Sequence, residues 1–151
     1  MPFSGDRHDL LGLFRRAEDS ETALASYLHD GRVWVARAPS GEAVGHLQAV
    51  ASNDGTTWEI LNTAVDDRWQ GRGIGRRLVD RAVDEARAAG ATRLEVATAA
   101  ADTGNLRFYQ RCGMRFSRVV RDRFGPETGY PDALDVDGIP LLDQVWFERA
   151  L

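Results

Sequence analysis

The chain has 151 residues, of which 43% are hydrophobic and 28% are charged, and this composition suits one compact domain better than two domains or a disordered chain. Its formal charge of −4 disfavours general binding to nucleic acid or to anionic membranes. The single cysteine excludes a disulfide within the chain and a cysteine-rich zinc site, and the three histidines lack metal-ligand spacing. We therefore expect one domain over residues 1–151 that needs no metal.

The first residues do not have the pattern of an export signal. Met1 to Phe14 lacks a basic flank followed by a long apolar segment. No apolar stretch of the chain approaches the ~20 residues that a bilayer requires. The expected location is the cytoplasm, with no membrane partner.

The first half of the chain predicts one helix and three strands. Asp19 or Ser20 can cap a helix that runs to about His29. Three β-rich runs follow, separated by turn residues, at 32–38, 43–52 and 57–65. These runs predict a three-stranded antiparallel meander.

The second half predicts a helix, a buried strand, a short helix and two final strands. Apolar residues recur at helical spacing before Gly90, which ends the first helix: Leu78, Val79, Ala82, Val83 and Ala86. A strand over residues 92–98 follows, and a right-handed crossover makes it parallel to strand 57–65. The remaining predicted elements are a helix at 106–112 and strands at 116–123 and 141–149. The fold class is mixed α/β.

A glycine-rich turn joins the third strand to the long helix. Gln70-Gly71-Arg72-Gly73-Ile74-Gly75 puts backbone amides at a helix N-terminus, where unpaired N–H groups and the helix dipole favour an anion. All 19 cationic residues are arginines. Four of them fall in one window that contains no acid: Arg68, Arg72, Arg76 and Arg77. The segment predicts a phosphate-binding loop, and the alternative is a merely flexible turn.

The residue types exclude one phosphate ligand and disfavour another. The chain contains no lysine, so it cannot form the Gly-Lys-Ser/Thr loop that binds ATP in P-loop proteins. Gly71 and Gly73 fit a dinucleotide fingerprint, but Arg76 occupies the place of its third glycine, which the close helix-to-strand packing requires. The dinucleotide interpretation is therefore weak.

The loop and two flanking segments resemble the GCN5-related N-acetyltransferase (GNAT) superfamily. Residues 70–75 match every fixed position of that family's Arg/Gln-x-x-Gly-x-Gly/Ala loop. Residues 59–65 resemble its central strand, and residues 108–114 resemble its Phe-Tyr-x-x-x-Gly-Phe segment. The resemblance covers roughly residues 32–123 and is typical of small, single-domain members of the bacterial type.

This resemblance implies a fold, a co-substrate and the residues that bind it. The implied fold is a mostly antiparallel twisted sheet of about six to seven strands, flanked by helices, in which a central parallel pair forms the acyl-CoA cleft. The implied acyl donor is acetyl-CoA. Its pantetheine arm would bond to the backbone of Ala64 and Val65, and its pyrophosphate to the loop, which comprises Gln70, Gly71, Arg72, Gly73, Ile74, Gly75 and Arg76. Asp102 stands where the family has an asparagine, so either Asp102 or Asn105 would contact the pantetheine arm.

Tyr109 and Glu59 are the candidate catalytic residues. Tyr109 matches the family's tyrosine that protonates the CoA sulfur, and the alternative is a core-packing ring. Glu59 resembles the strand glutamate that takes the amine proton in the histone-acetylating members. Period-two alternation predicts that Glu59 shares a largely apolar face with residues 61, 63 and 65, where burial would raise its pKa. The alternative is a solvated or ion-paired glutamate.

Two other side chains have weaker claims to a chemical role. His46 is a possible second base acting through water, although a lone histidine in a strand is more often structural. Cys112 precedes Gly113, and no histidine lies near it in sequence, so we expect a small buried packing residue rather than a reactive thiol.

The implied reaction is transfer of an acetyl group to a primary amine of a small molecule or peptide, by a monomer or a homodimer. In the family the loop between the last two strands, here about Phe124 to Pro140, borders the acceptor pocket. It contains four acids and no cation before Gly138, namely Glu127, Asp132, Asp135 and Asp137. These acids favour a cationic amine as the acceptor. The alternative is a solvated acidic loop that only keeps the protein soluble. The alternative function is an acyl-CoA-binding sensor or partner module without turnover.

Overall fold

The structure is a computed structural model that describes all 151 residues. It contains four α-helices, α1 (Leu11–Ala17), α2 (Glu21–Tyr27), α3 (Ile74–Ala88) and α4 (Thr103–Arg111). Its eight strands are β1 (Arg32–Arg37), β2 (Ala43–Ala51), β3 (Thr57–Val65), β4 (Arg93–Ala99), β5 (Arg115–Val120), β6 (Asp135–Val136), β7 (Ile139–Pro140) and β8 (Gln144–Ala150). No helix has the length and apolar composition that crossing a membrane requires.

Six strands form one mixed sheet in the order β1-β2-β3-β4-β8-β5. The meander β1-β2-β3 is antiparallel, and β3 and β4 are the one parallel pair, joined through α3. The predicted mixed sheet with a central parallel pair is confirmed. The two remaining strands, β6 and β7, form a small hairpin between β5 and β8, where the sequence predicts only a loop.

Helices pack on both faces of the sheet. The larger apolar cluster contains the buried face of α3 together with Leu94, Val96 and Phe147 of the sheet. The smaller cluster joins α1 and α2 to β1 through Leu13, Leu24 and similar side chains. We call these two sides of the sheet the α3 face and the α1 face.

Local capping determines where two of the helices begin. Ser20, one of the two caps that the sequence offers, accepts a hydrogen bond from the amide of Ala23, so α2 begins at Glu21. Asp102 accepts from the amide of Asn105, so α4 begins at Thr103, three residues before the predicted start. The prediction from apolar spacing alone was too short because the first turn of α4 is polar.

The helix α1 is absent from the sequence-based prediction. Its buried side chains Leu13 and Phe14 continue at helical spacing from Leu10, the last residue of the 3-10 turn that precedes it and that Asp6 caps. This apolar spacing is visible in the sequence, but it covers only two helical turns and was therefore not recognised as a helix.

A β-bulge interrupts β3. Ile60 lies opposite Ala49 and Asn62 lies opposite Gln48, so Leu61 is an extra residue without a partner on β2. Residues that face each other across two strands share one side of a sheet, and neighbouring residues on β2 alternate sides. The alternation along β3 is therefore reversed at Leu61.

The bulge separates side chains that the sequence predicts to be together. Glu59 lies on the α1 face with Asn62 and Ala64, whereas Thr63 and Val65 lie on the α3 face. The prediction that Glu59 shares a face with residues 63 and 65 is wrong, because period-two alternation holds only in an uninterrupted ladder.

Candidate active site

The parallel strands β3 and β4 separate part-way along their length. They pair from Thr57 and Arg93 as far as Ile60 and Val96, and no pairing continues beyond these residues. The backbone of residues 61–65 therefore has no strand partner on the side of β4. Unpaired backbone N–H and C=O groups along a strand edge can pair with an extended ligand that carries amide groups.

The separation of the strands opens a cleft of about 1410 Å³ that runs between the two faces of the sheet. Its α3 side is lined by the glycine-rich loop and by α4, including Tyr109. Its α1 side is lined by the α1–α2 turn, by Glu59 and Trp146, and by part of the segment between β5 and β8. We call the α3 side of the cleft the loop end and its α1 side the acceptor end.

Two glycines of the loop adopt the left-handed conformation. Gly71 has φ 75° and Gly73 has φ 80°, and a Cβ at either position would meet nothing within 4 Å. The backbone conformation, rather than crowding within the chain, therefore requires glycine at these two positions. The sequence-based expectation of positive φ in this turn is confirmed.

Gly73 is the N-cap of α3 and has no side chain to satisfy the first amides of the helix. Arg77 is the first residue whose amide is bonded within the chain there, to the carbonyl of Gly73. The amides of Ile74, Gly75 and Arg76 thus remain available at the positive end of a 15-residue helix. This arrangement can hold an anionic group at the loop end of the cleft.

Side chains on both sides fix the position of the loop. The Gln70 amide donates to the carbonyl of Val65 and to Asp67, each at 3.1 Å. A Cβ on Gly75 would lie 3.1 Å from the ring of Phe108, so glycine permits the close packing of α3 against α4. Arg76 donates to the carbonyl of Arg111 at the end of α4, at 2.8 Å. Its side chain therefore ties the two helices together.

The positive charge around the loop is smaller than the sequence window suggests. Arg68 forms ion pairs at 3.1 Å with both Asp66 and Glu42, which lie just outside the window. Arg72 stacks over the ring of Trp69 at 4.5 Å. Backbone amides, with Arg72 close by, are therefore the main anion-binding groups of the loop.

Asp102 and Asn105 both line the cleft at the start of α4. The carboxylate of Asp102 caps the helix through the amide of Asn105 at 2.9 Å. The side-chain amide of Asn105 donates to Thr98 on β4 at 3.1 Å. These bonds attach the first turn of α4 to the wall of the cleft.

Tyr109 is 4% exposed and lines the cleft from α4. Its ring contacts Phe108 edge-on at 5.2 Å and Phe147 at 5.7 Å. The core packing given above as the alternative is therefore present, and the hydroxyl makes no hydrogen bond within the chain. Burial is the main cause that raises the pKa of Tyr109, so the phenol keeps its proton at neutral pH. Cys112, three residues on, is buried, which likewise raises the pKa of its thiol.

Glu59 is half-buried and lines the cleft on the α1 side. Burial raises the pKa of its carboxyl group, and the negative charge of Glu95 raises it further, while Arg118 acts in the opposite direction. The carboxylate of Glu59 makes no hydrogen bond or ion pair within the chain. A carboxylate of this kind is suited to accept a proton.

The comparison with known proteins assigns the family. The sequence model of the acetyltransferase (GNAT) family matches residues 7–114. The chain belongs to this family. A relative in Bacillus subtilis strain 168, the uncharacterized N-acetyltransferase YvbK, is 29% identical over 137 residues, which cover 91% of this chain and 86% of the relative.

Solved structures of GNAT proteins superimpose closely on this chain. An IAA acetyltransferase from Bacillus cereus is 31% identical, with a TM-score of 0.84, over 93% of this chain and 91% of its own. A GNAT family acetyltransferase from Elizabethkingia anophelis, solved with acetyl-CoA bound, is 26% identical, with a TM-score of 0.89, over 100% of this chain and 96% of its own.

The acceptor end of this GNAT protein contains a buried polar network that the sequence does not reveal. The Oε1 and Oε2 atoms of Glu18 accept hydrogen bonds from the hydroxyls of Tyr27 at 3.2 Å and Tyr130 at 2.6 Å. Tyr27 also accepts from the Asn62 amide at 3.0 Å, and the Oδ1 atom of Asn62 lies 2.8 Å from Nε2 of His46. Glu18, Tyr27, Asn62 and Tyr130 line the cleft.

His46 anchors this network from inside the protein. It is completely buried against Phe14 and does not line the cleft. Burial lowers its pKa to about 4, so the ring is neutral at physiological pH. His46 is therefore structural in this GNAT protein, which was the favoured interpretation of its sequence.

The acids of the segment between β5 and β8 do not face the cleft. The four carboxylates between Phe124 and Gly138 are all exposed, and the cleft is lined instead by Arg123, Phe124, Tyr130, Val136 and Leu141. The segment does border the cleft on its α1 side. The carboxylates at this end of the cleft come from elsewhere in the chain, at Glu18, Asp19 and Glu59.

Proposed function

We propose that this protein transfers an acetyl group from acetyl-CoA to a primary amine of a small molecule or peptide by direct attack of the amine. The observation that carries the proposal is the separation of β3 from β4 directly beside the free N-terminus of α3. One strand edge and one anion-binding loop together suit a ligand that joins an amide-containing arm to a pyrophosphate, which is the chemical layout of CoA.

The donor would be held mainly by backbone groups. The amides between Gly71 and Arg76 would bind the pyrophosphate, and the free edge around Ala64 and Val65 would pair with the pantetheine arm. Gln70 already donates to one lone pair of the Val65 carbonyl, which leaves the other lone pair of that oxygen available. Asp102 and Asn105 would border the arm at the start of α4.

The reaction needs proton transfers on both sides of the sheet. Glu59 would remove one proton from the acceptor ammonium, so that the nitrogen lone pair can attack the thioester carbon. A C–N bond forms, the C–S bond breaks, and the nitrogen releases its second proton to solvent as the amide forms. Tyr109 would donate its proton to the departing CoA sulfur and regain one from solvent. The bulge at Leu61 supports this division, because it turns Glu59 to the opposite face from Thr63 and Val65.

The properties of Glu59 and Tyr109 fit these roles in different ways. The raised pKa of Glu59 makes that carboxylate a stronger base than an exposed one, and the Tyr109 phenol is protonated at neutral pH and so has a proton to donate. The name of the relative YvbK, an N-acetyltransferase, supports nitrogen as the acceptor atom.

The test is acetyl-CoA consumption measured across a panel of amines, with hydrolysis in the absence of amine as the control. We expect consumption that depends on the amine and yields an acetylated product detectable by mass spectrometry. Tight binding of acetyl-CoA without amine-dependent consumption would instead identify a sensor or partner module on the same fold.

A further inference from the structure

The directions of the hydrogen bonds at the acceptor end can be assigned from their partners. Asn62 donates through Nδ2 to the carbonyl of Phe14 at 3.1 Å, and a carbonyl can only accept, so Oδ1 of Asn62 faces His46. This oxygen accepts the proton on Nε2 of His46. The second Nδ2 proton of Asn62 is donated to Tyr27, which leaves the hydroxyl proton of Tyr27 for Glu18.

Both tyrosine hydroxyls of the network donate to the Glu18 carboxylate. Tyr27 and Tyr130 donate to its two oxygens, and the backbone amide of Ser20 lies 3.3 Å from Oε2. Tyr130 is 4% exposed, so the network also fixes the segment between β5 and β8 against the α1–α2 turn. All these partners are donors, so both oxygens of the Glu18 carboxylate act as acceptors.

The Glu18 carboxylate forms no ion pair within the chain. Four arginines line the same cleft, and two of them, Arg16 and Arg123, belong to its α1 side. Arg16 is bonded to Asp67 at 2.7 Å, and Arg123 lies over the ring of Phe124 at 5.7 Å. A half-buried carboxylate that is held only by neutral donors attracts a cation from the solution.

The rings around Glu18 would accommodate a hydrocarbon chain that ends in a cation. Tyr27, Phe124, Tyr130 and Trp146 line the acceptor end of the cleft. Aromatic faces contact methylene groups favourably and also attract an ammonium or guanidinium group. Glu59 lies at the same end of the cleft, so two carboxylates from distant parts of the chain face one space.

We propose that Glu18 is a specificity-determining residue that binds a second cationic group of the acceptor, so that the preferred substrates are aliphatic diamines or amines with an equivalent basic group. The inference rests on the proposed function and deepens it. One amine of the substrate pairs with Glu18, and the other lies towards Glu59 and the thioester. The cationic preference comes from this residue and not from the exposed acids of the segment between β5 and β8.

The test compares a series of α,ω-diaminoalkanes with n-alkylamines of matched carbon number. Binding to the CoA-loaded protein is measured by calorimetry, and turnover is measured separately with acetyl-CoA. We expect the wild type to bind the best diamine roughly tenfold to a hundredfold more tightly than its matched monoamine, the range expected for one charge-assisted hydrogen bond. In Glu18→Gln, which keeps the size of the side chain, the two affinities converge.

Two further variants separate the charge of Glu18 from its structural contacts. Glu127→Gln removes an exposed acid of the neighbouring segment and should leave the diamine preference unchanged. Tyr130→Phe removes one hydrogen bond to Glu18 but keeps its charge, so the preference should persist even if the melting temperature falls. Melting temperature and CoA binding are measured for each variant to establish that it is folded.

The outcomes distinguish this inference from the proposed function. If Glu18→Gln loses affinity for diamine and monoamine equally, or if the wild type does not prefer diamines, the inference is overturned even when amines are acetylated. If diamines bind in a Glu18-dependent manner but acetyl-CoA is not consumed, the inference stands and the proposed function fails.

Discussion

Glu59 and Glu95 lie directly opposite each other on the parallel strands β3 and β4. Their side chains share the α1 face of the sheet, and Glu148 of β8 continues the row beside Glu95. Arg93 forms ion pairs with Glu95 at 3.1 Å and with Glu148 at 3.9 Å, but Glu59 forms none. The residue proposed as the general base is thus the one member of a row of three carboxylates that forms no ion pair.

This arrangement predicts a defined pH dependence. The negative charge of Glu95 is the second cause, after burial, of the raised pKa of Glu59. Glu95→Gln should lower the pKa of Glu59, so the acidic limb of kcat/KM should move to lower pH. Glu148→Gln is the matched control, because Glu148 lies one strand further away, and its profile should follow the wild type. An acidic limb that stays in place in Glu95→Gln would contradict the role of Glu59.

Glu59→Gln should lower kcat/KM near neutral pH by roughly 10²–10⁴-fold, the usual contribution of a general base. Partial recovery is expected at high pH, where more of the amine is already neutral. Rates measured from pH 6 to pH 10 would check both effects. A profile that superimposes on the wild type would transfer the role of base to another group or to water.

Tyr109→Phe should lower turnover more than it weakens acetyl-CoA binding. The phenylalanine ring keeps the contacts with Phe108 and Phe147 but has no proton to donate when the sulfur leaves. Single-turnover rates and the acetyl-CoA-induced change in melting temperature measure the two effects separately. An unchanged rate, with chemistry shown to be rate-limiting, would leave Tyr109 with a packing role alone.

Acetyl-CoA should raise the melting temperature, and NADH and ATP should raise it much less, because neither has a pantetheine arm to pair with β3. At a ligand concentration about 100 times the dissociation constant, the expected stabilisation is about 2.7 kcal/mol. Gly73→Val should abolish this stabilisation while the protein remains folded. Gly55→Val is the matched control, since Gly55 also has positive φ and open space around it but lies in the β2–β3 turn, at the opposite end of β3 from the loop.

The control variant Gly55→Val should melt at a lower temperature than the wild type and still respond fully to acetyl-CoA. Both substitutions put a β-branched residue in the left-handed region, at a cost of roughly 1–2 kcal/mol. Undiminished acetyl-CoA binding by Gly73→Val would remove the assignment of the loop as the pyrophosphate site.

The burial of His46 predicts that the folded protein becomes less stable as the pH falls. Its folded-state pKa of about 4 lies below the ordinary value of 6.5, so the unfolded chain binds the proton more readily. The stability contributed by the neutral ring is fully present above pH 6.5 and is lost as the pH falls towards 4. His46→Gln, which can still donate to Asn62, should show a smaller decrease in unfolding free energy over this range. The unfolding free energy is measured by urea unfolding at each pH. The control His29→Gln, at an exposed position, should show the same pH dependence as the wild type.

The features that the sequence alone determined are local ones. Positive φ at Gly71 and Gly73, the Ser20 cap and the apolar face of α3 each depend on residues within a few positions of one another. The right-handed crossover, which depends only on the order of the elements, likewise predicted the parallel pair β3–β4. Short-range steric effects and handedness are the same in any protein, and a sequence pattern therefore reports them.

Only the tertiary structure decided which side chains meet at the acceptor end. The bulge at Leu61 depends on how β3 pairs with β2, and no period in β3 itself encodes it. The contact between Glu18 and Tyr130 joins residues 112 positions apart, and neither residue belongs to a local motif. Long-range pairing depends on the packing of the whole chain, which is why the sequence identified the loop end of the cleft but assigned the acidic character of the acceptor end to residues that face the solvent.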